Sequence, residues 1–133
     1  MRTVLLYSGG MDSFAIRHIV RPAMCLYVDM GTRYCSAEMA RLDAGVTVVA
    51  IPLAQYELQG GIIPLRNLML ACIGAQYGDE VMIGATAGDR VLDKSFEFAD
   101  LASSLLSYLW QEQHWTVGKR VVVSVPFKGS TKA

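Results

Sequence analysis

The chain has 133 residues, and 53% of them are apolar, so we expect one folded domain over residues 1–133 and not a disordered chain. Twelve basic residues balance twelve acidic ones, and this formal charge of zero disfavours a protein held on nucleic acid by its overall field. No apolar run approaches the ~20 residues of a membrane-spanning helix, and the N-terminus lacks a signal-peptide pattern. We therefore expect a cytoplasmic protein that binds neither a membrane nor nucleic acid directly.

Strand and helix patterns alternate in the first fifty residues. Short apolar runs at 3–7, 24–29 and 46–51 predict strands. Helical spacing of apolar residues over 12–20 and 36–42 predicts the two helices between them. Pro22 and Gly45 follow these helices and mark their ends.

The same alternation continues through the rest of the chain. Helices are predicted over 65–78 and 97–113, and strands over 80–85 and 120–125. The strands are continuously apolar, as in a parallel sheet that is covered on both faces. The sequence thus predicts an α/β, Rossmann-like (HUP-type) fold with a five-stranded parallel sheet and helices on both faces.

A glycine turn, SGGMDS at 8–13, connects the first predicted strand to the first helix. Adjacent glycines let the backbone approach a ligand closely, and a helix N-terminus favours an anion. Because ligands bind at the carboxyl ends of parallel strands, we expect a phosphate group here. The nucleotide-binding residues predicted at this turn are Tyr7, Ser8, Gly9, Gly10, Met11, Asp12 and Ser13.

The turn lacks the lysine of the common ATP-binding loop and the G-x-G-x-x-G pattern of dinucleotide sites. It matches S-G-G-x-D-S, and so resembles the PP-loop of the ATP pyrophosphatase group, whose members usually cleave ATP between the α- and β-phosphates. ATP and Mg²⁺ are the cofactors that this resemblance implies.

Four further segments resemble the 7-cyano-7-deazaguanine synthase family within that group. They are DMGTRYCSAE at 29–38, IIPLRNLMLACIGA at 62–75, the stretch 83–106, and VPFKGSTKA at 125–133. The matching positions are Asp29, Gly31, Arg33, Glu38, Pro64, Arg66, Asn67, Gly84, Asp89, Asp93, Glu97, Phe98, Pro126, Lys132 and Ala133. The blocks occur in the family's order and extend over nearly the whole chain.

The chain also departs from the family pattern. Leu65 stands where the family has glycine, the Gly-Tyr-Pro segment is missing, and the linker at 54–63 is shorter. The sequence stops at Ala133, where the family continues into a helix and four zinc-binding cysteines. The three cysteines of this chain are odd in number and lack C-x-x-C spacing, so we expect reduced thiols and no structural zinc.

The resemblance implies an ATP-dependent carbon–nitrogen ligase. It would convert 7-carboxy-7-deazaguanine and ammonia to 7-cyano-7-deazaguanine (preQ0) through phosphoanhydride activation of the carboxylate. Catalytic roles fall to Asp12, Arg66 and Lys132, and substrate binding to Arg66, Asn67, Asp89 and Asp93. Asp29 and Arg33 join the nucleotide-binding set.

Several of these residues have a second interpretation. Asp29 is as consistent with helix capping as with contact to Mg²⁺, ribose or adenine. Asp89 and Asp93 fit solvated loop acids equally well, Arg66 fits a surface arginine, and Lys132 fits a mobile terminus.

Two other functions stay open. The chain is also consistent with another PP-loop ATP pyrophosphatase, either tRNA-modifying or amide-forming, or with a shortened nucleotide-binding module without turnover. The high apolar content further favours surface shared with a second copy, and a homodimer is the expected assembly.

Overall fold

The structure is a computed structural model, and it describes residues 2–7, 11–84 and 92–126. For Met11 and Asp12 it describes the backbone.

A five-stranded sheet forms the centre of the protein. Its strands are β1 (Thr3–Leu6), β2 (Met24–Asp29), β3 (Val46–Ala50), β4 (Glu80–Ile83) and β5 (Val122–Ser124). They lie in the order β3-β2-β1-β4-β5, and every pairing is parallel. Leu5 of β1 is paired with Cys25 on one side and with Met82 on the other. The strand order therefore reverses at β1, and the predicted parallel sheet is confirmed.

Four helices cover the two faces of this sheet. They are α1 (Met11–Val20), α2 (Cys35–Met39), α3 (Arg66–Ala75) and α4 (Phe96–Leu109). Because successive residues of a strand point to opposite faces, Leu5 packs with Ile16 of α1 while Val4 packs on the side of α3. Val81 and Val123 form a third part of the core with α4. The predicted Rossmann-like arrangement, with helices on both faces, is confirmed.

Helix α3 lies unusually close to strand β4. Gly74 is in the middle of this contact, and a Cβ atom added there would be 2.8 Å from Cγ1 of Val81. Val81 is fully buried. A glycine is needed at this position because the helix could not approach the sheet so closely with a side chain in between.

Helix α4 ends at Leu109, earlier than the predicted Gln113. The carbonyl oxygen of Trp110 accepts a hydrogen bond from the backbone N–H of Lys119 at 2.9 Å, which turns the chain away from the helix axis. The Lys119 ammonium donates to the carbonyl oxygen of Ala75 and lies 4.4 Å from the Trp110 ring. These partners are distant in sequence, so helical periodicity alone does not indicate the end. Within the described ranges, no helix is long and apolar enough to cross a membrane.

Helix α2 is also shorter than the predicted 36–42. It ends at Met39, and the backbone N–H groups of Arg41 and Leu42 then bond three residues back in the chain, so the segment continues as tight turns. Because α2 is short, the sheet edge at β3 is incompletely covered, and Val48 is 47% exposed. The continuously apolar sequence of β3 had indicated a buried strand.

Candidate functional site

A cavity of about 300 Å³ opens at the carboxyl ends of β1, β2 and β4. Its lining residues are Leu6, Tyr7, Ser13, Leu26, Tyr27, Val28, Met30, Glu38, Arg66, Asn67, Leu70, Ile83, Gly84 and Lys94. The strand order reverses beside β1, and this is the place where open parallel sheets bind their ligands. The volume is at the lower end of the range for small-molecule sites, ~300 to 1,000 Å³.

Four of the sequence-predicted site residues meet at this cavity. Tyr7 precedes the glycine turn, Ser13 lies in the first turn of α1, and Arg66 and Asn67 begin α3. Ser13 and Asn67 are buried, with 3% and 4% of their surfaces exposed. The fold thus brings together two segments that are more than fifty residues apart in the sequence.

Other predicted residues fall outside the described residues. They are Ser8, Gly9, Gly10, Asp89 and Lys132, and for Met11 and Asp12 the description is limited to the backbone at the start of α1. Their assignment to nucleotide, substrate or catalysis remains a prediction. The start of α1 directly after the glycine turn, with Ser13 on the cavity, agrees with a phosphate-binding helix N-terminus.

Asp29 is the last residue of β2 and Arg33 lies in the loop after it, and neither lines the cavity. One carboxylate oxygen of Asp29 accepts a hydrogen bond from the backbone N–H of Gly31 at 3.0 Å, as in an Asx turn. The Arg33 guanidinium lies 4.8 Å from the centre of the Tyr34 ring and donates to the Tyr34 hydroxyl at 2.6 Å. In this structure both side chains hold the loop after β2.

Asp93 contacts Asn67 at the edge of the cavity. Its carboxylate accepts a hydrogen bond from the Asn67 backbone N–H at 3.3 Å, and its carbonyl oxygen accepts one from the Asn67 side-chain amide at 3.2 Å. Both residues were predicted to bind substrate. Substrate binding by these residues stays a prediction, and their described contacts hold the start of α3 against the turn at Leu92–Lys94.

Two cationic side chains stand next to this pair. Arg66 precedes Asn67, Lys94 follows Asp93, and both line the cavity. Among the described residues, neither side chain forms an ion pair or a hydrogen bond. The ion pair that the described structure does contain joins Arg17 to Asp43, away from the cavity. The α3 side of the cavity therefore carries two positive charges that form no ion pair within the described structure, although the Asp93 carboxylate lies near them.

A carboxylate faces the cavity from the opposite side of the sheet. Glu38 of α2 accepts a hydrogen bond from the Tyr27 hydroxyl at 2.8 Å, and both residues line the cavity. Burial raises the pKa of Tyr27 far above its ordinary value, and hydrogen bonds with Cys35 and Glu38 raise it further. Tyr27 is therefore a protonated donor at neutral pH, and it holds the Glu38 carboxylate in place.

Sequence reasoning did not assign Tyr27, Glu38 or Lys94 to the site. Glu38 is the last matching position of the 29–38 segment. Its place in a predicted helix directly after β2 was the sequence feature that could have assigned it to the cavity. Lys94 differs from the cysteine that the family pattern has after Asp93. The sequence shows a charged residue at Lys94, in a loop of small residues. Its place on the cavity wall, however, depends on the contact between Asn67 and Asp93.

The backbone at Leu65 has an unusual conformation for its residue type. Leu65 is the N-cap of α3 with φ of 62° and ψ of 16°, in the left-handed region that glycine adopts readily. Its side chain is 67% exposed, so burial does not explain the leucine. The family pattern has glycine at this position, and the backbone here has the conformation that such a glycine would favour.

The described residues do not by themselves form a magnesium site. Mg²⁺ takes oxygen ligands in octahedral geometry, usually one or two carboxylates together with substrate phosphates. Glu38 is the one carboxylate on the described lining, and Tyr27 already bonds to it. No group of three His, Cys, Asp or Glu side chains capable of holding a metal ion occurs within the described ranges.

Comparisons with protein-family models, curated proteins and solved structures found no match. The function must therefore be argued from the residues of the cavity and from the sequence motifs that meet there.

Proposed function

We propose that this protein is a PP-loop ATP-dependent synthase that converts 7-carboxy-7-deazaguanine and ammonia to 7-cyano-7-deazaguanine. One observation supports this most directly: Ser13 of the S-G-G-x-D-S motif shares a cavity with Arg66 and Asn67. These residues belong to two separate segments of the resemblance. The place where they meet, beside the reversal of strand order, is where open parallel sheets bind ligands.

The reaction needs activation of a carboxylate, which is a poor electrophile until one of its oxygens becomes a leaving group. ATP supplies that chemistry by forming a phosphoanhydride with the acid, which ammonia displaces to give the amide. A second ATP-dependent activation, of the amide oxygen, then lets that oxygen leave and the nitrile form. The role of the chain is to bring two anionic reactants together and to orient them. In this proposal Ser13 and the N-terminus of α1 bind the phosphates of ATP. Arg66, on the α3 side of the cavity, offsets the negative charge of the reactants.

The geometry at Leu65 is a second, independent support. A left-handed residue directly before Arg66 sets the direction in which α3 begins. A left-handed backbone favours glycine, and the family pattern has glycine at this position. The backbone of this chain at Leu65 therefore suits the glycine of the family pattern, although the residue here is leucine.

The proposal includes a cytoplasmic homodimer. Free thiols at Cys25, Cys35 and Cys72 agree with a reducing compartment. A row of apolar side chains at helical spacing on the outer face of α4 agrees with a covered surface, since Leu101 is 71% exposed and Tyr108 is 68% exposed. Sedimentation of the purified chain measures the assembly directly.

The test is an assay of the purified chain with ATP, Mg²⁺, ammonium chloride and 7-carboxy-7-deazaguanine, analysed by mass spectrometry. The proposal predicts the nitrile product together with AMP or ADP. The variant Arg66→Gln should lose most of the product, and Arg120→Gln, at the amino end of β5, is the charge-matched control. Nucleotide binding without product would favour the shortened module. ATP cleavage that does not depend on the deazapurine would favour another PP-loop enzyme.

A further inference from the structure

The cavity is electrically polarised across the sheet. Arg66 and Lys94 belong to the side of the sheet covered by α3 and α4, whereas Glu38 lies on α2 at the opposite side. The lining also contains apolar side chains, among them Leu26, Val28 and Ile83, which belong to the parts of the core that pack against α3 and α4. A ligand that fills this space has an apolar body with an anionic group at one end and hydrogen-bond donors at the other.

The contact between Asn67 and Asp93 fixes the positive side. Two hydrogen bonds join these residues, and Arg66 and Lys94 are their immediate neighbours in the chain. The two cations are therefore held on one wall although they come from different elements. A pair of cations on one wall suits a carboxylate, whose two oxygens each accept a charged hydrogen bond.

The Tyr27 hydroxyl fixes the negative side. It donates to one oxygen of Glu38, and the other oxygen has no hydrogen-bond partner among the described residues. Glu38 is half-buried, so a ligand N–H that reaches it would replace water. A carboxylate accepts such bonds strongly in a partly buried site.

We propose that Lys94 and Glu38 are the two anchors that orient the acceptor substrate, with Lys94 and Arg66 binding its carboxylate and Glu38 accepting from the N–H groups of its heterocycle. This inference rests on the proposed function for the identity of the substrate. In 7-carboxy-7-deazaguanine the carboxylate and the donor edge lie at opposite ends of a flat bicycle, as the cavity requires. The ammonium of Lys94 replaces the cysteine of the family pattern, so its role is particular to this chain.

Calorimetric titration of the full chain with matched ligand pairs tests Lys94. The first pair is 7-carboxy-7-deazaguanine and its nitrile, and the second is indole-3-carboxylate and indole-3-carbonitrile. Lys94→Gln should weaken binding of each carboxylate about tenfold or more and leave each nitrile unchanged. Lys94→Arg should keep carboxylate binding, and Arg120→Gln should match the unmodified chain.

Glu38 is tested with a ligand that lacks one donor. Glu38→Gln keeps an oxygen that can accept from Tyr27, but it replaces the free carboxylate oxygen with an amide donor. Binding of 7-carboxy-7-deazaguanine should weaken about tenfold, and binding of the same compound without its 2-amino group should weaken less. Equal losses for both compounds would overturn the role of Glu38.

The outcomes separate this inference from the proposed function. Loss of both members of a pair in Lys94→Gln, no loss of either, or failure of the unmodified chain to bind any carboxylate would overturn the Lys94 anchor. Lys94-dependent binding of indole-3-carboxylate without any deazapurine turnover would support the anchor and overturn the function. Undiminished deazapurine turnover and affinity in Lys94→Gln would support the function and overturn the anchor.

Discussion

Asn67 and Asp93 join the start of α3 to the turn before α4 through two hydrogen bonds, of 3.3 Å and 3.2 Å. Asn67 is 4% exposed, and both bonds are partly buried. The contact determines where Arg66 and Lys94 lie, because Arg66 directly precedes Asn67 and Lys94 directly follows Asp93. The polar wall of the cavity thus depends on a pair that need not touch the ligand.

We expect Asn67→Ala to lower the free energy of unfolding by about 1 to 3 kcal/mol, because it leaves a carbonyl oxygen of Asp93 without its donor. Asp93→Asn is the matched control, since its amide oxygen can still accept from the Asn67 backbone N–H, and it should cost less. Urea denaturation measures both changes. If Asp93→Asn destabilised the chain as much as Asn67→Ala, the contact would not act as described.

Leu65→Gly should raise the free energy of unfolding by up to about 1 kcal/mol. Relief of left-handed strain, worth ~1 to 2 kcal/mol, is partly offset by the greater freedom of glycine in the unfolded chain. Leu65→Ala keeps the strain and should not stabilise the protein. Thermal melts of the three chains give the order, and an alanine variant at least as stable as the glycine variant would contradict the conformation found at this residue.

Gly74→Ala should destabilise the protein by about 1 to 3 kcal/mol, although alanine favours helix formation. The new Cβ would lie 2.8 Å from a methyl group of the buried Val81, whose branched side chain has little freedom to move. The double variant with Val81→Ala tests the cause, because the smaller residue makes room. The two substitutions should then cost less together than the sum of their separate costs, and simple additivity would argue against a close contact of α3 with β4.

The Arg17–Asp43 ion pair predicts a specific pH dependence. The hydrogen bond from Arg17 at 2.7 Å, and then the bond from the Gly45 N–H, hold the pKa of Asp43 below its ordinary value. Because the folded pKa is depressed, this contribution to stability is present above the unfolded pKa, ~3.9, and is lost as pH falls through the folded value.

Arg17→Gln should therefore be less stable than the unmodified chain near pH 7, and the difference should shrink below about pH 4. Asp43→Asn keeps the acceptor for Gly45 and should also reduce the loss of stability in acid. Urea denaturation at several pH values measures the slopes. Parallel slopes in all three proteins would show that the pair does not form. Added salt should reduce the difference, since Asp43 is exposed.

The alternation of apolar runs was sufficient to predict the strands, the helices and their parallel order. Buried strands carry their signal locally, whereas the end of α4 involves a group that is distant in sequence, the Lys119 N–H bonded to the Trp110 carbonyl. The candidate site divides in the same way. Arg66 could be predicted from a short motif, but Lys94 gains its position from the Asn67 contact, which no local pattern encodes.

The central claim, that this chain activates the carboxylate of a deazapurine with ATP, is tested most directly by isotope transfer. The acceptor is prepared with a heavy isotope of oxygen in its carboxylate and incubated with the full chain, ATP, Mg²⁺ and ammonium. Heavy oxygen should appear in AMP or in released phosphate as the nitrile forms. Labelled acceptor recovered unchanged, with ATP intact, would contradict it.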